Sequence, residues 1–97
     1  MSHNSYELLF ITDPALAPEN LTALQDRIGS ILTANNGEVE GIDDWGVRRL
    51  AYQINRLDEG RYMLVNFKCE PATLAELKKQ LGYMQDVVRF MLIRKGD

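Results

Sequence analysis

Apolar and polar residues alternate with different periods along the chain, and each change of period marks an element. Tyr6 to Thr12 is a short aromatic and aliphatic run ending at Asp13-Pro14, where proline removes a backbone donor, so the pattern predicts a strand. Pro18 suits a first helical turn, and Leu21, Leu24, Ile28, Ile31 and Leu32 then recur at the spacing of one helical face. Asn35-Asn36-Gly37 supplies residues that tolerate a left-handed helix end. Glu38 to Ile42 and Val47 to Ile54 read as one long strand, bent by a bulge or kink at Trp45-Gly46. Leu57-Asp58-Glu59-Gly60 is turn-like, and Arg61 to Cys69 is rich in β-formers, which predicts a central hairpin.

After Pro71, Thr73-Leu74-Ala75-Glu76 has the form of a capping box, in which hydroxyl and carboxylate satisfy free donors at a helix start. Leu74, Leu77 and Leu81 form the apolar stripe of that helix, and Gly82 offers a stop. Val87 to Ile93 is β-branched and aromatic, and Arg94-Lys95-Gly96-Asp97 reads as a polar end. The order is βαββαβ in one domain spanning residues 1–97. This is the α+β, ferredoxin-like pattern: a four-stranded antiparallel sheet with two helices on one face.

Such a sheet has a second face, and the alternation makes it informative. Trp45, Val47, Arg49 and Ala51 fall on one side of the hairpin strand, with Arg48, Leu50, Tyr52 and Ile54 on the other. In the last strand Arg89, Met91 and Ile93 oppose Val88, Phe90, Leu92 and Arg94. Both sides are substantially apolar, which implies that the second face is covered by a partner.

Charge sharpens the picture. The net charge is -3, which argues against phosphate binding until its distribution is seen. Residues 1–44 hold eight acids and one base, Arg27, for -7, whereas residues 45–97 hold ten bases and six acids, for +4. The basic half is where a polyanion would bind. Ordinary proportions of apolar (45%) and charged (26%) residues indicate a chain that folds by itself. No apolar run reaches the roughly 18 residues of a membrane span. Met1-Ser2-His3-Asn4-Ser5 lacks the features of a secretory signal, so a cytoplasmic or organelle-matrix location is expected.

Catalytic chemistry is hard to find. Cys69 is the single cysteine and lies in an apolar strand, as a buried, unreactive thiol would. His3 has no cluster to join, so no metal or other cofactor is expected. There is no phosphate loop, nucleophile elbow or dinucleotide fingerprint, and the acid pairs Asp43-Asp44 and Asp58-Glu59 sit in turn-like contexts. Gly60 to Phe67 fits the stacking signature of an RNA recognition motif poorly, since Met63 and Leu64 stand at two of its informative positions. Those residues are expected to pack the sheet, leaving any RNA contact to Arg and Lys on duplex backbone and shape.

The segment Asp44-Trp45-Gly46-Val47-Arg48-Arg49-Leu50-Ala51-Tyr52-Gln53-Ile54-Asn55-Arg56, followed by Glu59-Gly60-Arg61-Tyr62, strongly resembles the bacterial ribosomal small-subunit protein six family. Tyr6-Glu7, Asn36-Gly37-Glu38-Val39 and Asp86-Val87-Val88-Arg89 extend the resemblance over nearly the whole chain. It implies a non-enzymatic component of the small ribosomal subunit. Such a protein binds the central domain of small-subunit ribosomal RNA together with ribosomal small-subunit protein eighteen, supporting subunit assembly and translation on cytoplasmic or organelle ribosomes. A basic partner would supply many phosphate contacts, which accounts for an acidic protein on RNA.

On this resemblance Arg48, Arg49, Arg89 and Arg94 are candidate RNA contacts, and Trp45, Leu50 and Tyr52 candidate protein contacts. Each arginine has an alternative, pairing with an acid such as Asp43 or Asp86. Three departures from the family pattern stand out. Ser2-His3-Asn4-Ser5 replaces a usual basic residue, Gln53 replaces a common proline, and Asp97 is not followed by the long acidic tail of some members. One RNA contact at the start is therefore in doubt, and no tail modification is expected. The rival reading is a ferredoxin-like regulatory or small-molecule-binding module that closes its sheet by homodimerising; a small isomerase would need acid and base groups around a pocket.

Overall fold

The computed structural model describes residues 4–95. They form β1 (Asn4–Thr12), α1 (Pro18–Thr33), β2 (Glu38–Ile54), β3 (Leu57–Cys69), α2 (Pro71–Leu81) and β4 (Arg89–Arg94). The strands pair antiparallel in the order β2-β3-β1-β4, the expected α+β ferredoxin-like arrangement. The readings of His3 and of Gly96-Asp97 lie outside the described residues.

Register decides which side chains face the helices. Tyr6, Leu8 and Phe10 of β1 pair with Phe67, Val65 and Met63 of β3, and directly paired residues point to one side of the sheet. All six are buried with Leu24, Ile28 and Leu32 of α1 and Leu77 and Leu81 of α2, so both helices cover that side. Leu21 and Ile31 flank the same core, as the helical spacing predicted. Tyr6 and Phe67 stack with ring centroids 5.6 Å apart.

The end of α1 behaves as its sequence suggests. Asn36 adopts the left-handed conformation (φ 64°), and Gly37 donates its N–H to the Leu32 carbonyl at 2.7 Å. A Cβ on Gly37 would lie 2.8 Å from that same oxygen, so only glycine fits. At α2 the expected capping box does not form. Pro71 takes the first turn after Glu70 and, lacking an N–H, leaves one free donor fewer to satisfy. The helix therefore starts before Thr73, which is carried into the core and buried.

The hairpin also differs from expectation. Its turn is Asn55-Arg56, both at positive φ (51° and 68°), and Leu57 to Gly60 belongs to β3. A two-residue turn of this hand matches strand twist, and Asn tolerates the conformation. The polar Asp58 and Glu59 suggested a turn, but they are exposed positions on a strand that extends past the core. The 17 residues of β2 would span about 53 Å if straight. The longest axis of the molecule is 42 Å. The strand bends instead, with pairing shifts at Val39/Gly41, at Asp44/Gly46 and between Arg49 and Ile54. The second contains the predicted bulge at Trp45-Gly46. Finally, β4 begins at Arg89 and includes Arg94, later than the run from Val87 predicted. Val87 is held outside it by a turn bond to the Met84 carbonyl, while Val88 already donates its N–H to the Ile11 carbonyl of β1.

Candidate functional site

The face opposite the helices carries Leu9 and Ile11 of β1, Tyr62 and Leu64 of β3, and Arg89, Met91 and Ile93 of β4, by the same register. Met91 and Ile93 are 54% and 43% exposed. An apolar band thus runs along the side that the alternation marked as needing a cover.

The far end of β2 closes part of this face. Between the pairs Arg49–Glu59 and Ile54–Leu57, residues 50–53 face only Asp58, so β2 holds three residues too many for a flat ladder and must arch. The arch carries Leu50 over Gly60 and Ile11. Leu50 and Ile11 are both buried, apart from the main core. A Cβ on Gly60 would collide with Cγ2 of Ile11, while Leu50 Cδ2 would stand 3.6 Å away. Two residues further on, Tyr52 meets β4, at the opposite edge of the sheet. Arg89 Nη1 donates to the Tyr52 hydroxyl at 2.8 Å, and its guanidinium lies 5.7 Å from the ring centroid.

Trp45 is set by its bulge. One Asp44 carboxylate oxygen accepts the Gly46 N–H at 2.8 Å, and both accept Arg61 Nη1, at 3.0 and 2.8 Å. Gly46 sits at φ 80°, a conformation that favours glycine. Strict alternation puts Trp45 and Arg48 on opposite sides; the bulge instead lets the Arg48 guanidinium lie 5.1 Å from the Trp45 ring centroid.

The predicted arginines divide into two pairs. Arg48, paired with Gly60, and Arg89, paired with Ile11, share the open face. Arg49 pairs with Glu59 and points to the other side, and Arg94 pairs with Tyr6 at the opposite end of the sheet, its Nη2 3.4 Å from Asn4 Oδ1. All four are exposed. Among the described residues the ion pairs are Arg61–Asp44 and Lys68–Glu40, so none of the four is neutralised by Asp43 or Asp86. Of the expected protein contacts, Trp45 (40%) and Tyr52 (63%) are exposed, whereas Leu50 is 7% exposed and anchors the arch. Ile11, Gly60 and Arg61 escaped the sequence reading as parts of this site. Gly60, a glycine inside a β-forming run, was the one available signal.

Other chemistry is sparse. Cys69 is buried, and burial, then the neighbouring Glu70 charge, pushes its thiol pKa up, as suits an unreactive cysteine. Among the described residues no group of three or more His, Cys, Asp or Glu is placed to hold a metal, and no helix is long and apolar enough to cross a membrane. In β3, Met63, Val65 and Phe67 face the core, leaving Tyr62 as the aromatic of that run on the open side.

Comparison with known proteins supplies context for this surface. The family profile of ribosomal protein S6 matches residues 5–94. The small ribosomal subunit protein bS6 of Desulforamulus reducens is 43% identical over 93 residues, covering 96% of this chain and 98% of the relative. That of Bifidobacterium longum is 40% identical over 96 residues, 99% of either chain. The crystal structure of the 30S ribosomal protein S6 of Thermotoga maritima superposes with a TM-score of 0.88 at 26% identity, over 97% of this chain and 89% of the other. The C-terminal domain of MgtC from Mycobacterium tuberculosis shares the fold at a TM-score of 0.66 and 17% identity, over 96% and 88% of the two chains.

Proposed function

The chain belongs to the ribosomal protein S6 family, and from that premise we propose that it binds the central domain of small-subunit ribosomal RNA as a heterodimer with ribosomal small-subunit protein eighteen, supporting subunit assembly. Membership makes it a non-catalytic protein of translation. The observation that carries the finer reading is the arch of β2. It brings Tyr52, expected at the protein contact, against Arg89, expected at the RNA, on the apolar open face, and carries Leu50 over Gly60. Arg48 joins them there, its guanidinium over the Trp45 ring and in no ion pair among the described residues.

A division of labour follows. The partner covers Tyr62, Leu64, Met91 and Ile93, while Arg48 and Arg89 at the margin reach phosphates. Phosphate contacts position a protein on RNA without reading sequence, so a few arginines suffice when a basic partner adds more. Arg49 and Arg94 then serve separate contacts, since they lie on the other side of the sheet.

The test is sedimentation of the tagged protein from cell lysate, before and after a high-salt wash, beside Arg48→Glu and Arg89→Glu variants. Co-migration of the parent with the small subunit, weakened in both variants, supports the reading. A free homodimer at low salt overturns it in favour of a self-associating regulatory module.

A further inference from the structure

The two sheet edges are built differently. On β2 the unpaired edge is broken by pairing shifts around Glu40 and Trp45, and it bears Glu38, Glu40, Asp43, Asp44, Arg48 and Arg49. Bulges and charges of this kind keep an edge from recruiting another strand. On β4, Arg89-Phe90-Met91-Leu92-Ile93-Arg94, there is no bulge within the strand, no proline and no charge between its ends.

Its free hydrogen-bonding groups can be assigned. Lys95 donates its N–H to the Ser5 carbonyl at 2.9 Å, directly across from it in the β1–β4 register. Antiparallel bonding alternates, so Met91 and Ile93 also bond to β1, and Phe90, Leu92 and Arg94 turn their N–H and C=O groups outward. Beside this edge, on the helix side, Pro71, Leu74, Ala75 and Lys78 of α2 form with Phe90 and Leu92 an apolar groove of about 540 Å³. A strand laid along β4 would place every second side chain in that groove.

We propose that the β4 edge and this groove are a β-augmentation site for an extended segment of another protein, with apolar residues at alternate positions and acidic residues at its flanks. Main-chain bonds to Phe90 and Leu92 supply affinity, and the groove supplies specificity. The acidic flanks follow from charge. Lys78 rims the groove, Arg94 ends the strand on that same side of the sheet, and Lys95 follows it; none is in an ion pair among the described residues. A second copy of the chain would bring the same cations alongside, which disfavours self-pairing. The site is separate from the open face and does not rest on the RNA reading.

The probe is a ten-residue peptide with Val and Leu alternating with Thr at its centre and two Glu at each end, added to the isotope-labelled chain. Amide hydrogen exchange at Phe90 and Leu92 is expected to slow by about tenfold or more on binding, while Met91 and Ile93, already bonded to β1, change little. A peptide ending in Lys should bind less tightly. Lys78→Glu should weaken the acidic peptide by about fivefold. Leu92→Pro, which removes an outward donor without touching the β1 ladder, should abolish the protection. The proposal is overturned by shifts confined to the open face, by equal binding of both peptides, by no binding at millimolar peptide, or by self-association through β4.

Discussion

Replacing Gly60 by Ala tests whether the arch is held by a close approach at this position. Gly60 is not among the residues at positive φ, so an added methyl group meets no backbone penalty. It meets Ile11, whose Cγ2 lies well inside contact distance of the new atom, while the Thr12 carbonyl (3.5 Å) and Leu50 (3.6 Å) are at ordinary contact. Ile11 is buried beneath Leu50, and its β-branched Cγ2 stands close to the backbone, so it yields only by leaving its rotamer. Overpacking of this kind costs about 2 kcal/mol. For a domain of this size that lowers Tm by about 8–16 °C. Thermal melts followed by circular dichroism read the change. Leu at position 11 lacks the colliding methyl while keeping the volume, so Ile11→Leu should cost about 1 kcal/mol alone and relieve the Gly60→Ala defect in combination. The cycle should show a coupling of about 1 kcal/mol. A Gly60→Ala variant within about 0.5 kcal/mol of the parent, or strict additivity with Ile11→Leu, would refute the packing argument.

Arg56→Gly should raise stability by about 0.5–1 kcal/mol, measured by urea denaturation, because Arg56 holds φ 68° in a turn that favours glycine at its second position. Cys69 should resist alkylation in the native chain at alkaline pH and react on unfolding, as followed by mass spectrometry with iodoacetamide. Its folded pKa is raised, so this thiol leaves stability undiminished below its unfolded pKa. It lowers stability as pH climbs above that value, where the unfolded chain ionises first. Arg48→Ala should reduce the salt dependence of RNA binding by the partner complex by about one phosphate contact with little change in thermal stability, since Arg48 is exposed and in no ion pair among the described residues; filter binding across a salt series checks it.

The fold was legible because its signals were redundant. The stripe of α1, the β-forming runs of β1 and β3 and the left-handed residues after α1 each pointed to the same arrangement, and the register bears them out. Errors fell where one signal had two uses. Asp58-Glu59-Gly60 has turn composition, yet the acids are exposed on a protruding strand, and the glycine is there for Ile11. Thr73 and Glu76 have the spacing of a capping box, but Pro71 starts the helix first. At the site, alternation placed Arg48, Leu50 and Tyr52 on one side, and this holds. Period alone carries no information about which residue lies across the sheet, so the meeting of Tyr52 with Arg89, 37 positions apart, was out of reach.

That meeting bears on how an acidic chain works on RNA. Under the proposed function Tyr52 faces the protein partner and Arg89 the RNA, yet in the free chain one bond joins them. A partner that packs on the arch holds Tyr52, which in turn orients the Arg89 guanidinium and leaves its remaining N–H groups for phosphate. Less side-chain freedom then remains to be lost when RNA arrives, so the two binding events are positively coupled, and by linkage RNA tightens the partner equally. The bond is exposed, which bounds its net worth at about 1 kcal/mol and the coupling at about fivefold. Tyr52→Phe removes the accepting oxygen but keeps the ring, and Tyr52→Ala removes both. Isothermal titration of RNA with and without the partner should show the affinity ratio falling in Tyr52→Phe and approaching one in Tyr52→Ala. An unchanged ratio in Tyr52→Ala would show that the arch and Arg89 act independently.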